Sequence, residues 1–196
     1  MKIGLALSGG GARGFAHVGA LKVLAEHQVP IDLIAGTSAG SVVGGALAAG
    51  MSVGEIEKMA AATRWRDLVR PSLPIGGLLS NAPMDRFLRH HLPVDRLEDV
   101  KIPFAAIAFD LGTNSSVLLS KTGDLITAVR SSCAVPGIFS PVRDELGRML
   151  IDGGVVSPLP VEAVRAMGAD IVIAIDLISC GATFRASSRT GFGVLI

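Results

Sequence analysis

The stretch LIAGTSAGSVVGGALAAGMSVG, residues 33–54, carries no charged side chain and consists mostly of Gly, Ala, Ser and Thr. An uncharged run of this length is what a membrane span requires. Gly36, Gly40 and Gly44 even form the small-xxx-small ladder of paired membrane helices. Side chains this small, however, give a poor transfer free energy into lipid. The run fits better as a short strand, a turn and a central buried helix, whose glycines let it pack closely on a sheet.

The rest of the chain can enclose such a helix. Its 196 residues suffice for one domain with a real core, and 49% of them are apolar against 18% charged, with mean hydropathy +0.55. A formal charge of +1, one Trp and no Tyr exclude a nucleic-acid partner, because neither a basic field nor stacking platforms are present. Cys133 and Cys180 lack metal-ligand spacing. They predict free buried thiols in a reducing, cytoplasmic compartment, with no metal centre. The opening MKIGLALSGG is too short an apolar run for a signal peptide and reads as a first strand.

Apolar strands alternate with helical patterns along the chain. Strands are expected at 2–7, 32–35, 102–111, 115–120, 148–152 and 170–177. Helices are expected at 14–27, 39–49, from Ser52 onward with Glu55 at capping-box spacing, at 84–92, 124–133 and 160–169. Residues 70–83 are rich in Pro and Gly and read as a long loop. Alternation with continuous apolar strands predicts an α/β fold with a mostly parallel sheet covered on both faces. One domain is expected over 1–178, followed by an irregular tail at 179–196.

Within the opening stretch, GTSAG matches G-x-S-x-G. In that pattern Gly36 and Gly40 flank a strained strand-to-helix elbow that exposes Ser38, and the helix dipole favours negative charge developing there. The plainer assignment is an N-cap serine. A nucleophilic serine needs a base. The histidines are His17, His27, His90 and His91, so none follows residue 91 and the order Ser…Asp…His is impossible. A carboxylate must act directly, or an early histidine must fold back. Asp110, Asp152 and Asp176 lie at strand ends, where α/β sheets place ligands. Asp152 is followed by Gly153 and Gly154, which permit a tight base-turn and close approach, and this favours it over an ordinary turn aspartate.

SGGGARG at 8–14 supplies consecutive unobstructed N–H donors at a helix start, as an oxyanion hole requires. Arg13 opposes the dipole there, so it serves an anion or holds the loop against carbonyls, unless it is simply solvated. Gly9, Gly11 and Gly14 also spell G-x-G-x-x-G, the dinucleotide fingerprint, with Asp32 near the usual offset. An NAD(P)-binding oxidoreductase is therefore a competing reading. Asp32 precedes its strand instead of ending it, and that reading leaves GTSAG and IDGG unexplained.

Together SGGGARGFAHVG (8–19), GTSAG (36–40) and DGG (152–154) resemble the patatin-like phospholipase family, especially its compact bacterial members. Similarity extends through GLLS, IPFAAIAFDL, AVRSSCAVPGIFSPV and SPLPVEAVRAMGADIVIAID, roughly residues 3–178. The resemblance implies a three-layer α/β/α sandwich and a lipid acyl-ester hydrolase that needs no cofactor. It implies a dyad of Ser38 as nucleophile and Asp152 as base, with an oxyanion hole in the loop of Gly9, Gly10, Gly11 and Arg13. A non-catalytic lipid-binding module on the same fold is the other alternative.

Two features bear on lipid contact. The segment PMDRFLRHHLP (83–93) sets Met84, Phe87, Leu88 and His91 on one face with basic residues around it. Such a helix either rests peripherally on a membrane or, the favoured reading, turns its apolar side into the core. Trp65, between Arg64 and Arg66, is an interfacial anchor or a half-buried aromatic.

Overall fold

The computed structural model describes residues 1–72 and 78–178, apart from the side chain of Trp65. The tail at 179–196 with Cys180, the interior of the 70–83 loop, and the anchoring role considered for Trp65 lie outside the described residues.

Strand β1 (Ile3–Leu7) leads through a glycine loop and a 3-10 turn (Gly11–Gly14) into α1 (Phe15–Glu26). Then come β2 (Leu33–Thr37), α2 (Ala39–Ala48), α3 (Val53–Ala62), α4 (Trp65–Leu68), the short β3 (Arg70–Pro71) and β4 (Leu79–Ser80), and α5 (Ala82–His91). The second half holds β5 (Phe104–Asp110), β6 (Ser115–Ser120), α6 (Leu125–Ser132), β7 (Val142–Arg143), β8 (Met149–Asp152), α7 (Val161–Ala166) and β9 (Ile171–Ile175). The expected capping box is present: Glu55 N–H donates to Ser52 Oγ at 3.3 Å, and Ser52 N–H donates to Glu55 Oε2 at 2.7 Å. The proline-rich loop contains one more element than its composition suggests, the β3–β4 pair.

The sheet has the expected parallel centre, extended on one side by antiparallel strands. Strands β9, β1, β2 and β5 run parallel, whereas β6, β8 and β7 join by antiparallel pairings. The reason is connection length. Strands β5 and β6 are joined by a tight turn with Asn114 at φ 52°, and β7 and β8 by a turn closed by Asp144 N–H to the Arg148 carbonyl. A strand that returns after a few residues has to run antiparallel, since a parallel return needs a full crossover.

The pairings place β8 with some precision. β5 pairs with β6 along 105–110, so β2 (at 104–107) and β8 (at 108–110) must share its other edge. There β2 and β8 approach from opposite directions and meet end to end. Thr37 lies beside Ile107, and Asp152 beside Ala108.

Helices cover both faces, giving the three-layer α/β/α arrangement. One face carries the main core, where Leu5, Leu7, Ile34 and Phe104 pack with residues of α1, α2, α3, α5 and α6. On the other face α7 lays Val164 against Ala6, Ala35 and Ala105. α5 turns Met84 and Leu88 inward, and the cationic side chain of Arg89 is paired with Asp85, Asp95 and Asp124. It is thus a core-facing helix with a compensated outer surface. No helix among the described residues is long and apolar enough to cross a membrane.

Candidate active site

β2 enters α2 through Ser38, whose backbone sits at φ 52°, ψ −121°. L-residues adopt such a conformation only when their surroundings force it. Two glycines make it possible. A Cβ on Gly36 would stand 2.4 Å from the Gly40 carbonyl oxygen, and one on Gly40 would stand 2.3 Å from that of Leu7 and 2.5 Å from that of Ser8. Every obstacle is backbone, so no rotamer change relieves it.

Two further serines, not singled out from the sequence, hold the elbow. Ser38 N–H donates to Ser132 Oγ at 2.9 Å, and Ser41 Oγ donates to the Ser38 carbonyl at 2.6 Å. Their only sequence signal is a small polar residue on an otherwise apolar, buried helix, and this is weak.

Asp152 ends β8 and is 5% exposed. Its Oδ1 accepts the Gly154 N–H at 2.7 Å. Gly153 lets β8 reach β5, for a Cβ there would stand 2.4 Å from the Ile107 carbonyl oxygen. Burial pushes the Asp152 carboxyl above the usual aspartate range, while hydrogen bonds from Gly154 N–H and the Ser38 side chain pull it back. The Ser38 side chain is thus close enough to the Asp152 carboxyl, across the junction of β2 and β8, to favour its charged form. Cys133, also buried, has its thiol pushed up to about 12 by desolvation and by the negative charge of Asp152. At that value it stays a neutral wall of the site.

The glycine loop divides its expected donors. Gly9 N–H is engaged by the Pro158 carbonyl at 2.9 Å. Arg13 N–H donates to the Gly10 carbonyl at 3.1 Å, and the Arg13 guanidinium donates to the Leu177 carbonyl at 3.0 Å. Arg13 thus holds the loop against carbonyls, the second of its expected roles. The N–H groups of Gly10 and Gly11 have no acceptor among the described residues. The loop lies against the elbow: a Cβ on Gly9 would be 3.4 Å from that of Ser38.

The other acidic and imidazole groups are engaged elsewhere. Asp110 accepts Gly112 N–H and the Thr113 hydroxyl within its own turn, and Asp176 accepts Ile178 N–H. Asp32 accepts Ile3 N–H at 2.7 Å, at the opposite end of β1 from the glycine loop. The dinucleotide reading therefore loses its ribose-binding carboxylate. His27 and His91 each bond a carbonyl one helical turn back, and His17 bonds the Ser8 carbonyl. Among the described residues no hydrogen bond joins an imidazole to Ser38 or Asp152. Among the described residues no group of three or more His, Cys, Asp or Glu could hold a metal ion.

Ser38 opens onto a cavity of about 560 Å³ bounded by Val18 of α1, Val43 of α2, Met59 of α3, Phe87 of α5, and Ile138. That size is in the range of small-ligand sites, about 300–1,000 Å³. Its walls are almost wholly apolar, so it suits a hydrocarbon chain.

The chain is similar to known proteins over most of its length. The patatin-like phospholipase model matches residues 5–165. An uncharacterized NTE family protein of Mycobacterium tuberculosis is 37% identical over 179 residues, covering 90% of this chain and 49% of that protein. The lysophospholipase NTE1 of Mycosarcoma maydis is 36% identical over 183 residues, covering 90% of this chain and 10% of that protein. The chain thus spans about half the length of the mycobacterial relative and a small part of the fungal one. Among solved structures, VipD from Legionella pneumophila shares the fold, with TM-score 0.70 at 16% identity over 89% of this chain and 49% of that one. With the family model and both relatives spanning most of its length, this chain belongs to the patatin-like phospholipase family.

Proposed function

We propose that the chain is a serine acyl-ester hydrolase for lipid esters, of phospholipase A or lysophospholipase type, working through Ser38 and Asp152. The observation that carries this reading is the meeting of the β2 and β8 ends, which brings the strained Ser38 and the buried Asp152 together beside an apolar cavity. The lysophospholipase name of the fungal relative points the same way.

In this reading the acyl chain lies in the cavity and its ester carbonyl meets Ser38. Ser38 Oγ attacks the carbonyl carbon while the Asp152 carboxylate takes the hydroxyl proton. A raised pKa suits this base, because it narrows the gap to the operating pH. The oxyanion is received by the unengaged N–H groups of Gly10 and Gly11, next to the N-terminus of α2. The tetrahedral species collapses, and the alcohol leaves with the proton from Asp152. Water then attacks the acyl-enzyme with Asp152 again as base, releasing the fatty acid and returning the proton to Ser38. Such substrates imply transient, peripheral contact with lipid surfaces.

The test is turnover of p-nitrophenyl butyrate and of lysophospholipid, with fluorophosphonate labelling. Label on Ser38 and loss of at least about 10³-fold in kcat for Ser38→Ala are expected. Unchanged turnover in that variant would reject the assignment.

A further inference from the structure

We propose that His17 is a positioning residue for the reaction: it pins the Ser8–Gly9 peptide so that the next two N–H groups stay free for the oxyanion. The proposal rests on the hydrolase reading above.

His17 lies on α1, beneath the glycine loop, and is fully buried. Its Nε2 is 2.8 Å from the Ser8 carbonyl oxygen. A carbonyl only accepts, so Nε2 carries the proton. Its Nδ1 is buried with no hydrogen-bond partner. A proton there would be a stranded donor, so the ring is neutral with Nδ1 bare. Burial lowers the imidazole below its ordinary value in the same sense, against the pull of the Ser8 carbonyl. An unmatched buried nitrogen is a standing cost, and one that calls for a reason.

The reason lies in what the other nitrogen holds. The peptide joining Ser8 to Gly9 is gripped at both polar ends. Its carbonyl accepts from His17, and its N–H donates to the Pro158 carbonyl at 2.9 Å. Ser8 Oγ braces the following carbonyl, donating to Gly9 O at 2.8 Å and accepting from Leu177 N–H at 2.7 Å. This sets the starting plane from which the Gly9–Gly10 and Gly10–Gly11 peptides run. Gly residues do not restrain their own dihedrals, so the loop's orientation has to be imposed from outside. His17 is the contact that ties it to α1. A loop that turns by even a fraction of an ångström misses an oxyanion that must sit within hydrogen-bond distance.

Three variants of the full chain separate the roles. His17→Phe keeps the volume and removes the donor. His17→Gln puts an amide N–H near the level of Nε2, whereas His17→Asn puts one near the level of Nδ1. With p-nitrophenyl butyrate, His17→Phe and His17→Asn are expected to lose about 10- to 100-fold in kcat with KM within about twofold. His17→Gln is expected to recover to within about threefold of the parent. A folded His17→Phe with parental kcat, or His17→Gln no better than His17→Phe, overturns the proposal. Should His17→Phe not fold, nitrogen-15 NMR of the parent decides: a proton on Nε2 bonded to the Ser8 carbonyl supports it, and a proton on Nδ1 overturns it. The hydrolase reading fails by a different result, parental turnover in Ser38→Ala.

Discussion

Asp152 stands one register step beyond Thr37 along the same edge of β5, opposite Ala108 where Thr37 is opposite Ile107. Ser38 follows Thr37 directly, so two side chains 114 positions apart in sequence are brought together by the ends of two colliding strands. The pairing depends on backbone register and is therefore insensitive to surface loops.

Asp152→Asn is expected to abolish turnover while raising stability at neutral pH. The folded carboxyl titrates above its ordinary 3.8, so between 3.8 and its raised value the native state holds a proton that the unfolded chain has released. Stability therefore falls as pH rises through that window and stays reduced above it. The amide lacks this penalty. Thermal melts at pH 7 should show a higher Tm for the variant, by about 2–4 °C per kcal/mol relieved. In the parent, kcat/KM should fall as pH drops through the same window, giving an acid limb above 3.8.

Gly40→Ala is expected to be destabilising by at least about 3 kcal/mol, because the added methyl meets only backbone oxygens at 2.3 and 2.5 Å. Gly19→Ala, in α1 with nothing within 4 Å of the new methyl, should instead stabilise by about 0.5–1 kcal/mol. Urea unfolding of the pair checks both signs.

Ser132→Ala removes the acceptor of Ser38 N–H. A loss of about 1–2 kcal/mol in stability is expected, with kcat reduced more than KM because the elbow loses one of its two restraints. Steady-state kinetics alongside denaturant melts separate the two effects.

Ala60→Phe extends a ring from α3 into the cavity that Ala60 helps line. Turnover of p-nitrophenyl butyrate should stay within about threefold of the parent, while esters of long acyl chains should lose about tenfold or more. Equal loss across chain lengths would mean that the acyl chain lies elsewhere.

Much of this was legible before any coordinates. Gly36 and Gly40 could be read because a steric requirement of one elbow leaves a fixed spacing. The aspartates at strand ends could be read because apolar runs mark strands whatever their direction. Direction was legible only in part: the short gap between 102–111 and 115–120 marks β6 as an antiparallel partner, but β8 has the same apolar character as the parallel strands and only its pairing shows that it runs the other way. The hydrogen bond that occupies Gly9 N–H was equally hidden, since its acceptor is the carbonyl of Pro158, far along the chain. Ser132 and Ser41 looked like ordinary polar positions on their helices. The cavity escaped because Val43, Met59 and Phe87 have the same pattern whether they touch each other or surround a space.

The head-on meeting of β2 and β8 also fixes when activity can arise. Everything up to α6 can be in place while the chemistry stays silent, because the base arrives only with the β7–β8 hairpin. Loop closure over so long a separation is slow compared with helix formation. Recovered esterase activity should therefore lag the return of far-ultraviolet ellipticity during refolding, making turnover a clock for the last strand to dock.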